Sequence, residues 1–256
     1  MSTTPTSTQP SPPWSAPRDF LVSRLHEASP ASALAVFAHP DDTESACGGT
    51  LARWAGNGTR VTVLIACQGE KGSSDLKVDP VALARTRSQE AAEAVTTLGG
   101  AELVELGHGD GTVGLEADIR GEVVAAIRRL QPEVVVCPDP TAVLFGRHYV
   151  NHRDHREVGW AVLDGASHEA GLPAYWPGSG EPHQPAELWL AGTLEPDVWV
   201  DVSKTIAVKA AALACHASQV GETDEWLRTM VERRAEADGR AVGVSHAEGF
   251  RRLLLS

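Results

Sequence analysis

Four short apolar runs, each of strand length and the first three each leading into a helical stretch, set the architecture of this chain. They are Ala33 to Ala38 (ALAVFA), Arg60 to Cys67 (RVTVLIAC), Ala101 to Leu106 (AELVEL) and Glu133 to Cys137 (EVVVC). The apolar stretches of the first, second and fourth read as strands buried on both faces, because a strand with one wet face would alternate apolar and polar residues, while Ala101 to Leu106 reads as a short strand. Between them lie stretches of helical spacing, from about Ser45 to Gly56, Pro80 to Leu98 and Leu115 to Leu130. Pro80 suits a first helical turn and Gly99 a helix end. A β-α-β-α-β-α-β order predicts an α/β fold, a mostly parallel sheet with helices on both sides.

The remainder is less regular. Residues 1 to about 17 are rich in Pro, Ser and Thr and have little to bury, so they read as a flexible tail. A short amphipathic helix is predicted from Asp19 to Ala28. A helix from about His155 to Ala170 leads into a Pro/Gly/Trp-rich loop through Gln184. Strands follow near Glu187 to Leu194 and Val198 to Val202, both expected to be antiparallel edge additions, then a helix from Lys204 to Ser218. Residues 221 to 243 are weakly helical in pattern, and His246 to Leu255 reads as a last docked segment. The whole is expected to be a single domain over residues 18–256 behind the tail.

Composition narrows the function. Lys plus Arg number 22 against 34 Asp plus Glu, a formal charge of -12, which speaks against nucleic acid as partner. No run approaches the roughly 20 apolar residues of a membrane span. Cys47, Cys67, Cys137 and Cys215 include no CxxC pair and read as reduced, buried thiols, which fits a cytoplasmic protein. Trp160 and Trp176 read as exposed, which is compatible with a homo-oligomer.

In open parallel sheets, ligands bind beyond the carboxyl ends of the strands. The first strand ends in Ala38-His39-Pro40-Asp41-Asp42, and the loop after the fourth reaches His152-Arg153-Asp154-His155. Both lie on the same edge of the sheet. Imidazoles and carboxylates at such short spacing have the composition of a Zn²⁺ site with one open position. Taken singly, each motif has a plainer reading: a strand running into an Asp helix cap, and two exposed first-turn histidines. Gly107-His-Gly-Asp-Gly111 lacks the spacing of a dinucleotide loop and reads as a turn.

The motifs AHPDDTESACGGTLA (38–52) and HRDHREVG (152–159), with Arg87 to Glu90, Asp110, Asp139-Pro140 and Lys209 to Gln219, resemble the LmbE-like, or PIG-L, family of metal-dependent sugar N-deacetylases. The resemblance spans most of the folded chain. It implies a Rossmann-like three-layer sandwich with irregular C-terminal additions. His39, Asp42 and His155 would be the metal ligands, Asp41 the general base, and His152 an acid or oxyanion stabiliser, as an imidazolium favoured by Asp154 or Asp139. Arg87 and Asp110 would line the pocket and take sugar hydroxyls; the plainer alternatives are an Arg87–Glu90 helix pair and a turn-forming Asp110. Lys71, Ser73, Ser74 and the segment from Tyr175 to His183 are candidates for shaping specificity.

Two positions depart from the family pattern. Thr43 follows Asp42 where HPDDE is usual, with Glu44 next. Val150 stands where some members place a catalytic Tyr, with Tyr149 one step away. His216 matches a family histidine, and its place relative to the site is left open. The function implied is a zinc-dependent hydrolase, with Fe²⁺, Co²⁺ or Mn²⁺ as other metals the donor set accepts. It would remove an N-acyl group, N-acetyl above all, from a small-molecule amino sugar or its glycoside by attack of metal-activated water. The alternatives are an amidase acting on a thiol conjugate of an amino sugar, and a non-catalytic Rossmann-like binding module.

Overall fold

The computed structural model describes residues 24–255 apart from 101, 116–117, 148 and 221–223. The expected tail lies outside the described residues, as does the first half of the helix expected from Asp19 to Ala28. Where that stretch enters the described chain it is extended: Arg24–Leu25 forms strand β1.

The elements follow as β2 (Ser32–Phe37), α1 (Asp42–Gly56), β3 (Arg60–Cys67), α2 (Pro80–Thr97), β4 (Glu102–His108), α3 (Arg120–Leu130) and β5 (Val134–Pro138). A small hairpin, β6 (Leu144–Phe145) and β7 (Tyr149–Val150), precedes α4 (Arg153–Asp164), which runs on into a π-helical turn over Gly165–Glu169. Then come β8 (Glu187–Ala191), β9 (Val198–Asp201), α5 (Ile206–Ala214), α6 (Ala217–Val220), α7 (Asp224–Val242) and β10 (Ala247–Leu254). Pro80 opens α2 behind Asp79, whose Oδ1 accepts the Val81 amide at 3.0 Å. The helix expected from Leu115 starts at Arg120 instead, because the chain turns at Gly114 (φ 73°) and the Asp118 carboxylate accepts the Arg120 amide.

The main sheet has the order β1-β9-β10-β8-β5-β2-β3-β4. Every described strand in it runs the same way except β10, which is antiparallel to both neighbours. The expectation for β8 and β9 is therefore corrected: both run with the core, β8 pairing parallel with β5 and β9 with β1. The antiparallel member is the C-terminal segment. Phe250 is level with Ala191 of β8 on one side and Val198 of β9 on the other, so β9 continues where β8 stops, one strand over.

Alternate residues of the central strands feed two cores, as the pleat requires. Ala33, Ala35 and Phe37 of β2 join Val134 and Val136 of β5, Trp54 of α1 and Ala91 of α2. Leu34 and Val36 join Val135 and Cys137, Ile127 of α3 and Val158 of α4 on the other face. The result is the three-layer sandwich the alternation predicts. No helix among the described residues is long and apolar enough to cross a membrane.

The Pro/Gly/Trp-rich loop does not reach the site. Arg128, at the end of α3, gathers it by donating to the carbonyls of Glu169, Ala170, Leu172, Tyr175 and Trp176. His183 Nε2 lies 2.8 Å from the Pro132 carbonyl, just ahead of β5, which anchors the loop at the amino end of the strands. Trp176 is half-buried and donates to Glu169, so of the two tryptophans only Trp160 is exposed.

Candidate metal centre and active site

The site forms where β2 and β5 end and α1 and α4 begin. Ala38 is the last apolar residue of the first strand, and His39 follows, 8% exposed. Asp41 takes φ 105°, a left-handed conformation uncommon for a residue with a side chain. The Asp42 carboxylate turns back to accept the His39 amide at 2.8 Å. Opposite, His152 caps α4 by accepting the Asp154 amide on Nδ1 at 3.2 Å, and one turn in, His155 faces the same point. Asn151 Oδ1 stands 3.0 Å from His155 Nδ1, which holds that nitrogen as the donor and leaves Nε2 free for the site.

Three donors converge. His39 Nδ1 is 3.3 Å from His155 Nε2 and 3.4 Å from Asp42 Oδ2, and His155 Nε2 is 3.1 Å from Asp42 Oδ1. Donors about 2.1 Å from a tetrahedral ion are separated by about 3.4 Å, so the two imidazoles, each facing one oxygen of Asp42, stand at the spacing a divalent ion needs. The His152 ring joins it: ring nitrogens of His39, His152 and His155 all lie within 4.8 Å of one another.

Carboxylates surround the far side of His39. Its Nε2 is 3.2 Å from Asp110 Oδ1 and 3.2 Å from Asp154 Oδ2, the carboxylate–imidazole arrangement that orients a metal ligand. Burial lowers the His39 pKa, but the hydrogen bonds to Asp110, Asp154 and Asp42 outweigh it and push it up to about 12. The three carboxylates around the His39 ring make this a place that favours positive charge. Burial and the Asp42 charge raise Asp41 to about 7, with Arg87 acting against them. His152 is lowered, by burial and then by the charge on His39, with Asp154 opposing. With Nδ1 accepting the Asp154 amide, the ring carries its proton on Nε2. Asp139 is engaged elsewhere, accepting from the Thr141 amide and hydroxyl.

Arg87 and Asp110 lie behind these groups. The Arg87 guanidinium is buried and donates to the carbonyls of Gly69 (2.9 Å) and Pro40 (2.5 Å), with Asp41 Oδ1 at 3.4 Å. Ser218 bonds both oxygens of Glu90, so Glu90 is not the partner of Arg87. Lys71 donates to the Asp110 carbonyl, while Ser73 and Ser74 are exposed in the loop beyond. Glu44 is buried against the fully buried His216, Oε2 to Nε2 3.3 Å, in the break between α5 and α6. Cys47 and Cys137 are buried and unpaired, and burial pushes both thiols up, away from ligation.

A pocket of about 420 Å³ opens on this centre, lined by Asp42 and His155, by Phe145 and Tyr149 of the hairpin, by Asn151 and by Arg234 of α7. Tyr149 thus reaches the site despite its shifted position. Asn151, Phe145 and Arg234 were not found by sequence reasoning. Asn151 sits four residues before His155, a spacing that could have flagged it; the other two leave no local signal.

The family model for GlcNAc-PI de-N-acetylase (PIG-L) matches residues 34–166, which include both halves of the centre. This chain belongs to the PIG-L family. It is 31% identical over 228 residues to a diacetylchitobiose deacetylase of Thermococcus kodakarensis, covering 85% of this chain and 81% of that one. It is 30% identical to a 1D-myo-inositol 2-acetamido-2-deoxy-alpha-D-glucopyranoside deacetylase of Rhodococcus jostii, over 73% of this chain and 81% of that protein. Among solved structures, the N,N'-diacetylchitobiose deacetylase of Pyrococcus horikoshii shares the fold, with a TM-score of 0.79 at 24% identity, over 88% of this chain and 84% of that one. This PIG-L member thus stands among deacetylases of N-acetylglucosamine-containing compounds.

Proposed function

We propose that this protein hydrolyses the N-acetyl group of a small-molecule N-acetylated amino sugar or its glycoside, using zinc held by His39, Asp42 and His155. The observation that carries this is the triangle of donors at 3.1 to 3.4 Å with the Asp41 carboxylate beside it and outside the ligand set. A bound divalent ion supplies Lewis acidity and lowers the pKa of water toward 7.

The protein groups do the rest. Arg87 and the backbone hold Asp41 at the site, where its carboxylate takes a proton from the attacking water and returns it to the departing amine. His152 Nε2–H donates to the acetamide oxygen as negative charge grows there. Asp110 and Asp154 fix the His39 ring, so in this assignment Asp110 and Arg87 act on the site's own groups before any sugar hydroxyl. Phe145 and Tyr149 offer aromatic faces to a sugar ring. A pure binding module would have no use for Asp41.

The test is acetate and amine release from a panel of N-acetylglucosaminides by the zinc-loaded protein and by Asp41→Asn. Release falling by about 10²–10⁴ in the variant, with zinc stoichiometry unchanged, is the expected result. Equal release removes Asp41 as base, and no release from any glycoside by the native protein overturns the hydrolase.

A further inference from the structure

We infer that Arg234 selects substrates bearing an anionic group, a carboxylate or a phosphate, on the part of the molecule remote from the acetamide. The inference rests on the hydrolase reading for the direction in which the substrate lies.

Arg234 stands on α7, about eighty residues beyond the second histidine motif, yet it lines the same pocket as the ligands Asp42 and His155. Several cations of the chain are held by carboxylates. Lys209 is bonded to Glu248 at 2.6 Å, Arg252 to Glu187, and Arg251 to Glu195 at 3.0 Å. Among the described residues no carboxylate pairs with Arg234. Asp238, one turn on, feels its charge without forming an ion pair.

A guanidinium offers a planar fork of donors that matches two oxygens of one anion, and an arginine left unpaired at a pocket wall retains that capacity for a ligand. The pocket is lined by Asp42, Asp139 and His155 from the centre and by Arg234 from α7, so the cationic side chain the protein itself offers to an anionic substituent there is the one on α7. The acetamide is then the end left to enter among His39, Asp41 and His152. Phe145 and Tyr149, with ring centroids 5.9 Å apart, flank the pocket on the hairpin.

The experiment compares three N-acetylglucosaminides that differ only in the aglycone: methyl, carboxymethyl and phosphoethyl. The native, zinc-loaded protein is expected to favour one or both anionic glycosides over the methyl glycoside by about 10- to 100-fold in kcat/KM, chiefly through KM. Arg234→Gln should bring that ratio close to one, and Arg234→Lys should retain part of it. The preferred aglycone tells carboxylate from phosphate. Calorimetric binding of the same glycosides gives a readout independent of turnover. If no glycoside is hydrolysed but the anionic ones bind more tightly than methyl and lose that advantage in Arg234→Gln, the inference stands and the hydrolase reading falls. If the methyl glycoside is hydrolysed and the preference is absent in the native protein or unchanged in Arg234→Gln, the inference falls and the hydrolase reading stands. If no glycoside is hydrolysed and binding does not discriminate among them, both fall.

Discussion

Replacing Glu248 by alanine should unsettle the helix that carries the site without touching the site. Helix α1 is broken at Cys47 (φ -145°, ψ 16°), so its second half begins afresh with amide groups that have no partner in the preceding turn. Glu248, from β10, supplies the missing acceptors: Oε1 takes the Gly49 amide at 3.0 Å and Oε2 the Thr50 amide at 2.7 Å. Lys209 Nζ completes the set at 2.6 Å, and Lys209 and Glu248 are each only 4% exposed. Glu248→Ala leaves a buried ammonium unpaired, which costs about 3–5 kcal/mol, and orphans two amides at about 1–3 kcal/mol each where nothing relaxes. These losses overlap, because the cavity left behind admits water. A net loss of about 4 kcal/mol is a large share of the 5–15 kcal/mol typical of a domain, and corresponds to roughly 8–16 °C in melting temperature. Urea unfolding followed by tryptophan fluorescence measures it. Adding Lys209→Met to Glu248→Ala removes the stranded charge and should recover about half the loss. A single variant that loses less than about 1 kcal/mol, or a double variant no better than the single, would falsify this account.

Three further outcomes follow from the geometry. Stripping the metal with a chelator should lower the melting temperature and restoring zinc should raise it, since saturation at about 1,000 times Kd adds about 4 kcal/mol; His155→Ala should show neither response, and an unchanged response there would remove His155 from the ligand set. Gly159 packs so close to β5 that a Cβ would sit 2.5 Å from the Pro138 carbonyl, so Gly159→Ala should cost about 1–3 kcal/mol and reduce activity by shifting α4 with His155; a fully active, equally stable variant contradicts that packing. Burial raises the Glu187 carboxyl, but hydrogen bonds from Arg252 and Trp189 bring it below its ordinary 4.5. A lowered folded-state pKa means stability that is complete above pH 4.5 and is lost as pH falls through the lowered value. Arg252→Met should flatten that loss in urea midpoints, and identical profiles below pH 4.5 would count against the pairing.

What could be read from the residues alone depended on how local the determining physics was. Strand β3 occupies Arg60–Cys67 as expected, because an unbroken apolar run lies between a Gly-Asn-Gly turn and a polar loop. The first turn of α1 was missed, since Asp42, Thr43 and Glu44 offer no apolar periodicity and are held by contacts with distant residues. β10 escaped notice as a sheet strand because Arg251 and Arg252 interrupt its pattern, and their partners Glu195 and Glu187 lie more than fifty positions back. The two histidine motifs pointed to one edge of the sheet through topology. The pocket beyond them did not, because Arg234 belongs to a charged helix whose sequence gives no reason to single out one arginine.

The left-handed backbone at Asp41 has a consequence of its own. A side chain in that conformation costs about 1–3 kcal/mol, and glycine would adopt it freely. The kink lets two successive carboxylates serve one centre in different capacities, the first beside it and the second within it. Asp41→Gly should therefore be sturdier than Asp41→Ala, both lacking the carboxylate that faces Arg87 and neither able to turn over, and the margin between them measures what turnover demands of this one peptide unit.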